Sequence, residues 1–457
     1  MYECCKKLNE KEKPDLKKRK FSPPQILVLG FTFIIAIGTF LLMLPISIHQ
    51  EGRLSFIDAL FTATSATCVT GLAVKDTGTF FTPFGQIVIL ALVQVGGLGF
   101  MTMATLFSLV LKRRISLKDR LLLQQAMNQN TMEGIVRLIR KVIVYSIIIE
   151  GTAALALTLR WAMEMPFRQA VYYGVFHAVS LFNNAGFDLL GNFQSLTQHV
   201  SDPIINLISM VLIISGGIGF IVISDLVDYR KNRGLSLHSK VVLSMSGALI
   251  VIGAIVIFVF EFTNPQTLEP LSLEGKIWSS LFQSITPRSG GVVTVDIASM
   301  RQATQFFIIV LMFIGAAPGS TGGGIKVTTF AILIGAMFSM IRGRDDIVMF
   351  RYRIVQERIV KALTITLLTL FLLIFIAMVL STTESANFLS ILFETTSAFS
   401  TVGLSMGLTT NLTVFGKIVI CITMFIGRLG PLTLAYALGP KKGRELYRHP
   451  EGQMIIG

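Results

Sequence analysis

Long apolar stretches alternate with polar connections along this chain, and they fall in pairs. The first members run over 25–46, 138–160, 240–262 and 358–381, the second over 84–111, 203–229, 302–341 and 412–438. Several approach or exceed the roughly 20 apolar residues that cross a bilayer, so the pattern predicts membrane-spanning helices. Between the members of each pair lies a segment of about ten residues, rich in hydroxyls and ended by glycine. As helix it would measure about 15 Å, half the hydrocarbon thickness. Such a segment can enter the membrane and turn back. The backbone beyond it is tolerated only where it lines protein or a watery cavity.

The four short segments share one spacing, from an apolar residue to a glycine ten positions later. They are "FTATSATCVTG" (61–71), "FHAVSLFNNAG" (176–186), "LFQSITPRSGG" (281–291) and "FETTSAFSTVG" (393–403). Ser65, Ser180 and Ser397 fall at one register, which Ile285 breaks in the third copy. The second spans carry Gly96, Gly216, Gly315 and Gly427 at 25, 30, 24 and 24 residues beyond the repeat glycines. The unit is span, short re-entrant helix, glycine-ended loop, span, used four times. The expected fold is therefore an all-α polytopic membrane protein, with about eight transmembrane helices and four re-entrant half-helices in four pseudo-symmetric repeats around one central pore. Four such loops on one axis would supply rings of backbone carbonyls, which can replace the hydration shell of a monovalent cation. Carbonyls aimed at one axis need backbone angles that glycine accepts. The expected filter is Gly71, Gly186, Gly291 and Gly403, flanked by Val69 and Thr70, Asn184 and Ala185, Ser289 and Gly290, and Thr401 and Val402. The competing reading of each glycine is a simple helix C-cap.

Composition agrees with a membrane protein. Of 457 residues, 52% are hydrophobic and only 14% charged, against roughly 25% charged in soluble domains. The net charge of +14 invites a nucleic-acid reading, but topology accounts for it. Thirty of the 40 Lys and Arg fall in five stretches: to Lys20, Lys112 to Lys141, Arg230 to Lys240, Arg342 to Lys361, and from Lys441. Spans crossing in pairs put all five on one side, which the positive-inside rule makes cytoplasmic. The expectation is a multi-pass cell-membrane protein with both termini cytoplasmic, bilayer lipid around it and no nucleic-acid partner.

Other motifs refine the reading. In "GAAPGSTGGGIK" (315–326), Gly315, Pro318, Gly319, Gly322, Gly323 and Gly324 cannot continue a regular helix, so the third inner span is broken. Arg428, inside the apolar run of the last span, needs a partner. Asp76, Asp188 and Asp296 follow their repeat glycines on the expected outer side, as mouth charges or ordinary loop carboxylates. Asp58 and Glu394 suit structural hydrogen bonding. Five scattered histidines and four cysteines without metal spacing give no catalytic constellation, so an enzyme is not expected. No strand–GxGxxG–helix unit is present, so no nucleotide or covalent cofactor is expected on this chain. An ion-coupled secondary transporter working by alternating access is the alternative; four same-sense repeats favour an axial pore over rocking halves.

The four repeats, with "TCVTGL", "FNNAGFD", "TPRSGG" and "FSTVGLS", resemble the membrane subunit of Ktr/Trk-type potassium uptake systems over essentially the whole chain. The resemblance implies a single-chain pore, pairing as a homodimer, regulation by a cytoplasmic nucleotide-binding ring, and potassium as the transported ion, with sodium dependence left open. Glycine in all four copies goes with potassium preference; relatives with serine in the first copy tend to pass sodium. It implies that 315–326 is the intramembrane gate, faced by Arg428. A fixed packing kink and a purely structural arginine are the competing readings. The third copy departs from the family's Arg-Thr-Ala-Gly-Phe-Asn, carrying Arg288, Ser289, Gly290, Gly291, Val292 and Val293 instead. Two glycines thus compete for the filter place, and the spacing favours Gly291. Docking candidates for the ring are Ser116 to Asn130, Arg342 to Arg358 and the C-terminal tail; service to lipid headgroups alone is the competing reading of their charges. The expected division is a basic tail 1–24, repeat one 25–111, a connection 112–137, repeat two 138–230, repeat three 231–341, repeat four 342–438 and a tail 439–457.

Overall fold

The computed structural model describes residues 23–49, 54–99, 102, 135–344 and 346–438. The basic tails, the stretch Ser116 to Asn130 and the first inner span from 103 to 111 lie outside the described residues.

Each repeat begins with a long apolar helix: α1 (Pro23–Met43) in the first, then a half-helix α2 (Phe56–Thr67), a single turn α3 (Thr77–Phe80) and an inner helix α4 (Pro83–Leu98). Repeat two holds α5 (Ile135–Trp161), α6 (Phe167–Phe182), α7 (Pro203–Gly217) and α8 (Phe220–Asn232). Repeat three holds α9 (Leu237–Glu261), α10 (Leu273–Ile285), α11 (Gln302–Ile314) and α12 (Val327–Ile341). A hairpin of β1 (Ile347–Met349) and β2 (Tyr352–Ile354) follows. Repeat four holds α13 (Gln356–Thr383), α14 (Phe388–Phe399), α15 (Val414–Leu429) and α16 (Pro431–Leu438). The helices start where the sequence offers caps. Ser55 accepts from the Asp58 N–H, Ser272 from Gly275, and Asp202 precedes Pro203 while accepting from Ile204 and Ile205, in line with N-cap and N1-proline preference.

Among the described residues, α1, α5, α9 and α13 are long and apolar enough to cross a membrane, and a bent pair, α7 with α8, makes a fifth such span. Two inner spans expected as single runs are divided, and the first has a helix end within it. α4 stops at Gly99, α7 and α8 meet at 99° around Gly219, and α15 and α16 meet at Gly430. All three glycines hold positive φ, near +82°, +88° and +82°, which a side chain resists. One left-handed residue redirects the helix without altering the hydropathy of the run.

The bundle is apolar both at its surface and at its centre. Phe33, Ile147, Val259 and Phe371 on the long helices are 67%, 64%, 62% and 71% exposed, as lipid-facing residues are. Phe61, Phe176, Phe282 and Phe393 on the half-helices are at most 1% exposed. Between these layers the inner helices approach closely. A Cβ on Gly96, Gly216 or Gly427 would collide with the carbonyl oxygen of Thr67, Phe182 or Phe399 at the end of a half-helix. This is the small-residue contact that lets membrane helices touch backbone to backbone. Gly315 departs from the set: α11 ends there, and its neighbours are Gly323 and Gly324.

Candidate functional site

Each half-helix ends on a residue that turns the chain back. The next residues alternate in hand identically in all four copies. Val69 and Gly71 hold φ of +56° and +91°, Asn184 and Gly186 +60° and +71°, Ser289 and Gly291 +77° and +71°, Thr401 and Gly403 +48° and +89°. The residues between them, Thr70, Ala185, Gly290 and Val402, are not left-handed. Between the two candidates of the third copy, Gly291 takes the left-handed place and Gly290 does not. Left-handed φ at four non-glycine residues costs about 1–3 kcal/mol each and persists only where the surroundings impose it.

The four glycines close a ring. A Cβ on Gly186 would lie 2.7 Å from the Gly291 Cα, and one on Gly291 would lie 2.7 Å from both the Gly186 Cα and the Val402 oxygen. On Gly403 it would strike the Thr70 oxygen and come within 3.1 Å of the Gly71 Cα, and on Gly71 it would strike the Ala185 oxygen. No side chain larger than hydrogen fits this ring without displacing backbone.

Hydrogen bonds fix the strands. The N–H groups of Thr70, Ala185 and Val402 donate to Ser65, Ser180 and Ser397 oxygens at 2.8, 2.8 and 2.9 Å. The Ser180 hydroxyl donates to the Phe187 carbonyl at 2.6 Å, and the Gly71 N–H donates to Ser65 Oγ at 3.1 Å. The third copy corrects the uniform spacing of the sequence. There the buried phenylalanine is Phe282, the hydroxyl is Thr286, and Thr286 Oγ1 donates to the Val292 carbonyl at 2.5 Å. Gly290 N–H donates to the Thr286 oxygen at 2.7 Å. Phenylalanine and hydroxyl stand four apart in every copy, and the third copy is one residue shorter before its glycine. Arg288 anchors it, donating to the Ser246 carbonyl and Oγ on α9 at 3.2 and 2.7 Å.

Under this ring runs the segment 315–326. A Cβ on Gly322 would lie 2.5 Å from Ser289 Oγ and one on Gly323 2.5 Å from Thr401 Oγ1, so it touches strands three and four. Gly315, Gly319 and Gly324 have positive φ. The segment hangs on repeat two, Ala317 and Thr321 N–H donating to Gly217 and Gly216 carbonyls at 3.0 and 3.2 Å. Pro318 stands at the bend between them, close to Gly219. Arg428 clamps it to repeat one: the guanidinium donates to the Thr321 carbonyl, to the Gly96 carbonyl, and to Gly97 at 3.1 Å. Lys326 Nζ donates to the Gly322 carbonyl at 2.5 Å. This second basic residue, quoted in the motif but given no role by the sequence, sits with Arg428 beneath the ring.

The acidic residues divide. Asp76 accepts from Thr79 and Phe193 N–H at 3.0 and 3.3 Å, and Asp296 from Ala298 N–H and Ser299 Oγ at 3.1 and 2.6 Å; both shape loops. Asp58 pairs with Lys417 of α15 at 2.7 Å. Glu394 accepts from Ser405, from Thr409 Oγ1 at 2.8 Å and from Met406 N–H at 3.2 Å, holding the loop that follows the fourth strand. Asp188, two residues beyond Gly186, makes one backbone contact, to Leu190 N–H at 3.0 Å. Burial, with some repulsion from Asp76, pushes its carboxyl up to about 7. Glu164, His199 and Asp202 converge, but Arg160 bridges Glu164 and Asp202 at 2.7 and 2.6 Å, so the cluster is an ion-pair network.

Four half-helices converging on a glycine ring inside a helical membrane bundle define a four-repeat membrane transport protein. The chain belongs to the TrkH cation transport protein family, whose model matches residues 6–440. This is a transporter family and not an enzyme family. The chain is 46% identical to the Ktr system potassium uptake protein B of Bacillus subtilis, covering 97% of this chain and 98% of that protein. It is 39% identical to the potassium/sodium uptake protein NtpJ of Enterococcus hirae, over 96% and 98%. The crystal structure of the potassium transporter TrkH from Vibrio parahaemolyticus superposes with a TM-score of 0.72 at 20% identity, over 96% of this chain and 88% of that one, a likeness of fold.

Proposed function

We propose that this chain carries potassium across the cell membrane through a selectivity filter formed by Gly71, Gly186, Gly291 and Gly403. The observation that carries the reading is the alternation of left-handed and right-handed residues in all four strands. In this reading the carbonyls of the four strands face the axis on which the glycines meet. Carbonyl dipoles so arranged replace the water of a monovalent cation. The half-helix C-termini add partial negative charge at the same depth. Glycine in every copy supports potassium over sodium; the relatives' names support potassium as a carried ion, NtpJ being named for potassium and sodium together.

The segment 315–326 is the gate in this reading, with Gly315, Pro318, Gly319, Gly322, Gly323 and Gly324 as its mobile backbone and Arg428 as its clamp. The charge of Arg428 beneath the ring opposes a leaving potassium ion until the segment moves. Relatives named as parts of a Ktr system support a separate regulatory chain. The resemblance makes it a cytoplasmic nucleotide-binding ring under a homodimer of this protein. The basic stretches support cytoplasmic termini. Purified protein in liposomes tests the core of this reading: potassium entry should exceed both sodium entry and the leak of empty vesicles. Equal entry of both cations would overturn potassium selectivity, and flux that requires exchange for an internal cation would favour the carrier reading.

A further inference from the structure

Beyond the pore, α12 leaves the segment under the filter and runs 15 residues, about 22 Å, which takes it from the membrane interior to the water interface. The β1–β2 hairpin folds back against its end. Between α9, α12 and the hairpin lies a cavity of about 330 Å³. Met245, Ile334, Phe338 and Phe350 make its apolar wall, and Arg342, Arg344 and Asp346 stand on its rim, the carboxylate of Asp346 being held by Arg353. Among the described residues neither arginine has a carboxylate partner, whereas the neighbouring Arg353 pairs with Asp346 at 2.8 Å. Phe350 and Arg351 form the two-residue tip at φ of +48° and +70°. That turn favours Asn and Gly, and a bulky residue forced into it points to a functional constraint; here the tip closes Phe350 over the cavity.

We propose that this cavity binds an anionic phospholipid, its phosphodiester on Arg342 and Arg344 and its acyl chains along α9 and α12. Guanidinium groups match phosphate oxygens in pairs, and basic residues at a membrane interface attract anionic headgroups. A soluble anion would gain nothing from apolar walls contributed by membrane helices. The site stands apart from the filter and does not rest on its reading. The lipid would tie the hairpin to α12, the helix that carries the segment under the ring.

The test titrates full-length protein in detergent with phosphatidylglycerol or phosphatidylcholine, reading bound lipid by native mass spectrometry and unfolding temperature alongside. Phosphatidylglycerol should bind preferentially, and the double variant Arg342→Gln/Arg344→Gln should lose about thirtyfold in that preference. Gly335→Leu, whose Cβ would meet Ile347 and Met349 at 3.4 and 3.5 Å, fills the cavity without touching a charge and should also abolish it. Equal loss on Arg233→Gln, an exposed arginine elsewhere, would reduce the effect to general surface attraction. Competition by millimolar inorganic phosphate would make it a free-anion site. Either result, or unchanged binding in Gly335→Leu, overturns the proposal.

Discussion

Replacing Arg428 with glutamine removes a side chain that joins the segment proposed as the gate to repeat one. Its guanidinium donates to Thr321 in the segment and to Gly96 and Gly97 at the end of α4. A hydrogen bond from a charged donor is worth about 1.5–3 kcal/mol. Loss of the Thr321 bond alone therefore weakens the seated segment by about 2 kcal/mol, a shift of about thirtyfold between seated and displaced forms. The bonds to Gly216 and Gly217 survive, so the segment stays attached on its other side. While the displaced form is the minor one, flux scales with its population, and unregulated potassium entry into liposomes should rise by about the same factor. Arg428→Lys separates clamp from charge: an ammonium keeps the charge but not the planar fork that reaches three carbonyls. It should leave flux raised if the clamp matters, and near wild type if only the charge does. Unchanged flux in a folded Arg428→Gln protein would refute the reasoning.

Other outcomes follow from single contacts. Thr286→Val removes the hydroxyl bond to Val292; the third strand should loosen, with about 1–2 kcal/mol of stability lost and potassium over sodium selectivity reduced in flux assays. Lys417→Met leaves Asp58 without its partner in a largely buried site, and thermal unfolding should show a loss of about 3 kcal/mol, the range for a broken buried pair. Asp188 is raised to about 7 by burial, so acidification through pH 7 should remove its charge two residues from the ring and, if it draws cations to the pore, slow potassium entry. The stability sign is the reverse: a raised carboxyl stabilises the fold fully below its unfolded value near 4 and less as pH climbs through 7. Asp188→Asn should flatten both profiles; a pH profile of entry unchanged by the substitution would refute the assignment.

Much of the architecture is readable from hydropathy because the four repeats share period and punctuation. The long first spans, the half-helices and the break at 315–326 each change composition visibly. What escapes is what composition does not register. Gly99, Gly219 and Gly430 bend or end apolar runs through one positive φ each, and a glycine inside such a run reads like any other small residue. The third half-helix is offset by one position because Leu281 and Phe282 are adjacent and both apolar. Only the burial of Phe282 and the bond from Thr286 reveal which one matches Phe61. The Thr-Pro-Arg-Ser run offered Thr286 as a hydroxyl one place late, a signal hidden by aligning on glycine. Lys326 was visible as the last residue of the glycine-rich motif, yet its position under the ring depends on the path of a non-helical segment. Likewise the buried contacts of Glu150 with Gln94 and Asn183 at 3.2 Å join three elements distant in sequence.

The ring itself is the central claim, and one measurement bears on it most directly: potassium and sodium entry into liposomes for the wild type beside Gly71→Ser and Gly403→Ser. A side chain at either position meets backbone of the neighbouring strand, so both variants should keep a cation flux while losing preference for potassium. Selectivity indifferent to both glycines, in protein that still folds, would contradict a filter at this ring.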